Sequence, residues 1–202
     1  CGYKVLILES ERPSAIRREV SFCEAVYDGE AFVEGVLSHK IKDVSECGKV
    51  WDLKEIPLLV DETGESIARC RPAAVIDGIL AKRNLGTSRE MAPLTIALGP
   101  GFTAGEDVDY VIETQRGHDL GRIIEEGEAA PNTGVPGVIA GVGKERVIHS
   151  PASGSIKNLA KIGDFVEKGQ IIAEVKGVSV PASITGVLRG IIRDGYIVHK
   201  GM

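Results

Sequence analysis

A chain of 202 residues has room for one large domain or two smaller ones, and its 43% hydrophobic residues supply a core. Its 24 basic against 29 acidic residues leave a net charge of −5, which argues against a general nucleic-acid binder, since such domains carry a basic excess. No apolar run approaches the roughly 20 residues of a membrane span, and no secretory segment opens the chain.

Cys1, Cys23, Cys47 and Cys70 lie far apart and form no CxxC pair, so no metal site is expected. Their plain reading is small buried hydrophobes in a reduced, cytoplasmic protein. Arginines flank Cys23 (Arg17, Arg18) and Cys70 (Arg69, Arg71) in sequence, and nearby positive charge lowers a thiol pKa. The chain opens on Cys1 and stops at Met202 inside an unfinished pattern, so a cut is expected at both ends.

Val5 to Leu8 is a continuous apolar run, as suits a parallel strand covered on both faces. Glu9 ends it. An acid in that place either holds a ribose, as in dinucleotide-binding units, or merely closes a strand. Pro13 to Val20 predicts a short helix with Ser14 as its cap. Asp28-Gly29, set between apolar residues, predicts a hairpin, with a helix over Glu30 to Leu37 as the alternative. Four further apolar runs follow: Ile56 to Val60, Ala73 to Leu80, Leu94 to Leu98 and Tyr110 to Ile112. The five runs predict an open, largely parallel α/β sheet. Asp61 and Asp77 fall where ligands of such sheets bind, although turn or cap acids are the plainer reading. Lys82, Arg83 and Asn84 follow the third run, and the first two could add positive charge to the same edge.

Ile96 to Arg122 is the stretch with most chemistry. Gly99-Pro100-Gly101 follows an apolar run, and glycines let a backbone approach a ligand closely. Glu113, Thr114, Arg116, Gly117 and His118 then follow the next run, with Arg122 behind them. Arginine forks suit carboxylate or phosphate, and His118 is the one candidate acid-base group. The opposing reading is an ion-paired turn, Glu113 with Arg116 and His118 with Asp119. As a cluster after a strand, Glu9, Gly99, Gly101, Glu113, Thr114, Arg116, Gly117, His118 and Arg122 are the expected cofactor-binding residues.

Pro131 to Gly137 reads as a loop, and divides an α/β domain over 1–140 from a module over 141–202. In that module Gly154, Gly163 and Gly169 recur 32 positions later as Gly186, Gly195 and Gly201. Val166 and Lys168 recur as Val198 and Lys200, so the module is an internal duplication. Its two copies should interleave, each covering the other's apolar face.

The turn Gly163 to Gln170 resembles that of the biotinyl/lipoyl domains, whose fold is the barrel-sandwich hybrid. Lys176, in EVKGVSV, lacks the flanking methionines of a carrier lysine, so neither biotin nor lipoate is expected. ESERPSAIRREVSFCEAVYDGEAFVEGV (9–36), IALGPGFTAGEDVDYVIETQRGHDLGR (96–122) and GVLRGIIRDGYIVHKGM (186–202) together resemble the YqeB-type accessory proteins of selenium-dependent molybdenum hydroxylase systems. That resemblance implies an incomplete Rossmann-like domain, since the family's GAGDLATG-type opening loop is absent here. It also implies a cytoplasmic maturation factor whose partner is a molybdenum hydroxylase or its maturation machinery. The ligand would be a nucleotide or the pterin-dinucleotide form of the molybdenum cofactor. An NAD(P)-dependent oxidoreductase and a non-enzymatic docking scaffold stay open as alternatives. So do enzymatic activity and self-association.

Overall fold

The computed structural model describes residues 2–135, 137–138 and 141–202. It divides into two compact units, Cys1–Gly64 with Val138–Met202, and Glu65–Gly137. The protein is mixed α/β, with parallel and antiparallel sheets. The expected apolar runs are shared between two sheets instead of joining in one. Each sheet gathers its own core and ends in an antiparallel strand.

In the first unit, β1 (Ile7–Glu9), β2 (Glu30–Val33), β3 (Val36–Ile41) and β4 (Ile56–Val60) form a sheet of order β1-β4-β3-β2. β1, β4 and β3 run parallel, and β2 returns antiparallel to β3. Successive residues of a strand face opposite sides, and β4 shows the consequence. Leu58 packs with Ala25 and Val26, while Leu59 packs with Ile41, Cys47 and Val50. Two short helices, α1 (Ala25–Asp28) and α2 (Cys47–Asp52), supply those opposing residues apart from Ile41, which ends β3. Covered on both faces, β4 reads as an unbroken apolar run.

The structure departs from two local expectations. Asp28-Gly29 closes α1: Gly29 is left-handed (φ +86°) and its N–H donates to the Ala25 carbonyl. The hairpin turn lies instead at Glu34-Gly35, where φ is +48° and +86°, the pair of positive values a two-residue turn of this hand requires. Pro13 to Val20 forms only a 3-10 turn at Arg18–Val20, and Ser14 caps nothing. The Ile16 carbonyl is taken by the Ile191 N–H at 2.8 Å, so this segment spends its hydrogen bonding outside any helix.

The second unit begins with α3 (Glu65–Cys70) and carries β5 (Val75–Asp77), β6 (Thr95–Leu98), β7 (Thr103–Ala104), β8 (Tyr110–Ile112), β9 (Ile123–Ile124) and β10 (Gly127–Glu128). β5, β6 and β8 are parallel neighbours in that order, and β9 pairs antiparallel with β8. Ala97, Val108 and Val111 are fully buried beneath Phe102, Ala104 and Ala129, next to the small β7–β10 ribbon. Asp109 fastens the beginnings of β6 and β8: one carboxylate oxygen accepts from the Thr95 N–H (2.8 Å) and hydroxyl (2.9 Å).

The remainder of the first unit carries β11 (Gly154–Asn158), β12 (Phe165–Val166), β13 (Ile171–Val175), β14 (Val178–Pro181), β15 (Gly186–Val187) and β16 (Ile197–Val198). The duplication is visible in the pairing. Gly154 faces Val198 in β11–β16, and Gly186 faces Val166 in β15–β12. Off the strands the same operation holds. Gly163 donates to Leu188 and Gly195 to Ile156, while Gly169 donates to Ala182 and Gly201 to Ser150. Each copy's first strand thus pairs with the other's second, and the copies bury one shared core containing Ile156, Val166, Ile172, Val175, Leu188 and Val198.

The symmetry breaks where the module meets residues 12–28. Leu159 donates to the carbonyl of Ile172, and its counterpart Ile191 donates to that of Ile16. A Cβ at Gly190 would stand 2.8 Å from that Ile16 oxygen, so the approach needs glycine. Arg193 binds both oxygens of Asp28 (2.7 and 2.9 Å) and Glu24 (2.7 Å) while lying 4.5 Å over the Tyr27 ring. Arg18 donates to Glu24 and to the Ile191 carbonyl, both at 2.9 Å. Lys161, the counterpart of Arg193, is exposed.

Candidate functional site

Three parallel strands of the second unit end at one sheet edge, where ligands of such sheets gather. The loop after β5 starts at Asp77, which is only 6% exposed. One Asp77 oxygen accepts from the Ile79 N–H (3.0 Å) and the other from the Thr87 hydroxyl (2.7 Å). Asn84 shapes the interior: Oδ1 accepts from the Gly86 and Thr87 N–H groups, and Nδ2 donates to the Thr87 carbonyl. Residues 78–87 therefore form a loop tied at its base, with Lys82 and Arg83 exposed at its tip. Leu80 and Lys82 hold positive φ (+58° and +65°) despite their side chains, a strain that persists only where surroundings impose it.

The turn after β6 is Gly99-Pro100-Gly101, with both glycines at positive φ (+78° and +105°). A Cβ on Gly101 would stand 2.5 Å from the Arg83 Cα, and one on Gly99 would stand 2.6 Å from the Thr114 hydroxyl oxygen. Glycine is required at both, and the middle turn touches the loop on either side.

The loop after β8 turns back as a hairpin into β9, since Glu113 N–H donates to the Arg122 carbonyl and Gly121 N–H to that of Glu113. Glu113 is 6% exposed. Its two oxygens accept from the Gln115 N–H (2.6 Å) and the Ala130 N–H (2.7 Å). Burial pushes this carboxyl up, but the backbone donors of Ala130, Gln115 and Thr114 outweigh it and hold the group below the ordinary glutamate value. Glu113 is thus committed to its own loop and acts there as a positioning residue. Arg116 and His118 stand exposed at the tip, and Arg122 lies 3.7 Å from Asp119 in an exposed pair. Among the described residues Lys82, Arg83, Arg116 and His118 have no ion-pair partner; neither Glu113–Arg116 nor His118–Asp119 forms.

Gly99, Gly101, Glu113, Thr114, Arg116, Gly117, His118 and Arg122 therefore share one edge of the second unit. Glu9 belongs to the first unit, where Oε1 accepts from the Ser10 N–H at 2.8 Å. Asp61 is a turn acid, accepting from Gly64 and Thr63. Sequence reasoning did not find the tie between Asp77, Asn84 and Thr87, although an Asn two residues before Gly signals such a turn. A groove of about 410 Å³ lined by Ile67, Arg71, Pro72, Met91 and Pro93 lies towards the start of β6, away from these cations.

Cys23 and Cys47 are each 3% exposed. Burial pushes the Cys23 thiol up, and Arg18 only weakly opposes it, so the nearby arginine leaves no activated thiolate. Among the described residues no group of three His, Cys, Asp or Glu side chains could hold a metal ion. No helix among them is long and apolar enough to cross a membrane.

The chain is 47% identical over 200 residues to the protein of Escherichia coli (strain K12) named uncharacterized protein YqeB. Nearly the whole chain is thus similar to a part of YqeB. The match takes in 99% of this chain and 37% of YqeB, so the chain spans little more than a third of the relative's length. No family model matches the chain, and no solved structure does. Both the cationic edge and the duplicated module fall within the stretch shared with YqeB.

Proposed function

We propose that the chain is the ligand-binding part of an accessory factor that matures a selenium-dependent molybdenum hydroxylase in the cytoplasm. The observation that carries the site is the pair of cation-tipped loops on either side of Gly99-Pro100-Gly101. Such an edge suits an anionic nucleotide, and in particular the pterin-dinucleotide form of the molybdenum cofactor, through charge-assisted hydrogen bonds. Arg116 and Arg122 would supply forks to phosphate, His118 a further donor, and the two glycines a close backbone approach. The hydroxylase, or its maturation machinery, would be the partner.

On this reading the α/β part is Rossmann-like. The duplicated module is a barrel-sandwich hybrid used for docking. The resemblance of ETQRGHDLGR to the accessory family supports the biological context, and the free cations support the chemistry. The test is the affinity of the isolated cofactor for the protein and for an Arg116→Ala/His118→Ala variant. A loss of tenfold or more is expected from removing two charge-assisted contacts. Equal affinities would sink the assignment.

A further inference from the structure

The loop over residues 78–87 flanks the proposed site but has no ligand contact assigned to its own residues, and it is tied at its base as firmly as the hairpin opposite. Each loop follows a parallel strand, begins at a buried carboxylate, and uses both oxygens of that carboxylate to fasten its own polar groups. Each then exposes unpaired cations at its tip. The Gly99-Pro100-Gly101 turn lies between them, touching Arg83 on one side and Thr114 on the other. Neighbouring strands stand about 4.8 Å apart, so the ends of β5 and β8 are separated by roughly 10 Å, with the turn midway.

We propose that residues 78–87 are the second arm of the anion site, and that its ligand carries a diphosphate group lying over Gly99–Gly101. The inference rests on the cationic edge being an anion site at all, and it names which anion. A carboxylate or single phosphate engages one arm and leaves the other's cations idle. Two linked phosphates can meet Lys82 and Arg83 from one side and Arg116 from the other. A side chain in place of either glycine would clash with the loop beside it. Lys82 and Arg83 are thereby assigned as binding residues, and the ligand class becomes nucleoside diphosphates and dinucleotides joined through a diphosphate.

The experiment is a calorimetric titration of the 202-residue chain with inorganic pyrophosphate and with inorganic phosphate, at low salt and without divalent metal. Variants are Lys82→Ala/Arg83→Ala, Arg116→Ala, and Lys161→Ala as an exposed lysine elsewhere. All replace exposed side chains, and circular dichroism confirms that each variant is folded. Pyrophosphate is expected to bind at least tenfold more tightly than phosphate. The Lys82→Ala/Arg83→Ala variant should abolish that preference, Arg116→Ala should weaken both ligands, and Lys161→Ala should change neither. If pyrophosphate shows no preference, or the loop variant keeps it while Arg116→Ala still weakens binding, the second arm is overturned and the anion site stands. If neither ligand binds the unaltered chain, both readings fall. Equal weakening by Lys161→Ala would mean diffuse attraction and would overturn the proposal too.

Discussion

The duplicated module and the cationic edge of the second unit are both rich in glycine, but the glycines do different things. In the module, Gly163 and Gly195 have positive φ (+94° and +78°) with nothing within 4 Å of where a Cβ would stand. They serve the backbone turn alone, so they recur at equal spacing and declare a repeat. At the edge, Gly99 and Gly101 also have positive φ, but a Cβ on either would stand 2.6 or 2.5 Å from the neighbouring loop. Those glycines serve a contact between segments distant in sequence. The first kind of glycine is periodic and local; the second is singular and takes its meaning from what lies across from it.

The largest effect should separate these two kinds. Gly101→Ala adds a methyl against Arg83 backbone, which cannot swing away like a side-chain end. A loss on the order of 2–4 kcal/mol is expected in chemical denaturation, together with loss of anion binding. Next comes the junction that breaks the module's symmetry. Arg193→Ala leaves Glu24 with one cation and Asp28 with none, and a cost of about 2–3 kcal/mol is expected. Lys161→Ala, at the matching position of the other copy, should stay within about 0.5 kcal/mol. Equal costs would remove the asymmetry from the account.

Gly163→Ala and Gly195→Ala should each cost about 1–2 kcal/mol, the strain of a left-handed side chain without a clash. The two costs should agree closely, because the sites are related by the duplication; unequal costs would mean that the symmetry does not extend to energetics. The smallest effect concerns pH. Glu113 is held below its ordinary value in the folded chain, so its contribution is complete above the unfolded glutamate pKa and is lost as pH falls through the folded one. Glu113→Gln should therefore flatten part of the decline in stability below about pH 4.3, seen in thermal melts across pH 3 to 6. A variant that declines as steeply as the parent would show that the carboxylate is not what ties the loop.

What could be read from the sequence follows the same division. The apolar runs at Ile56 to Val60, Leu94 to Leu98 and Tyr110 to Ile112 became strands because burial on both faces, or alternation, writes itself locally. The interleaving of the module was legible because a repeat of 32 residues specifies both halves at once. The split of the runs into two sheets was not legible, since strand partners are chosen by packing between distant segments. Asp28-Gly29 misled because the same dipeptide serves a helix end as well as a hairpin. At the site, the cations and glycines were visible, and Asp77 is the turn acid that its sequence position suggests, but the longer ties of Glu113 and Asp77 were not. Both are anchors whose partners, Ala130 and Thr87, lie 17 and 10 residues further along.

Three loops of the second unit are proposed to form one anion site. Amide chemical shifts followed during titration with pyrophosphate test it most directly. Changes confined to Lys82–Arg83, Gly99–Gly101 and Thr114–His118 are expected, with the module's amides still. Changes scattered over surface lysines, or centred on Glu9, would contradict it.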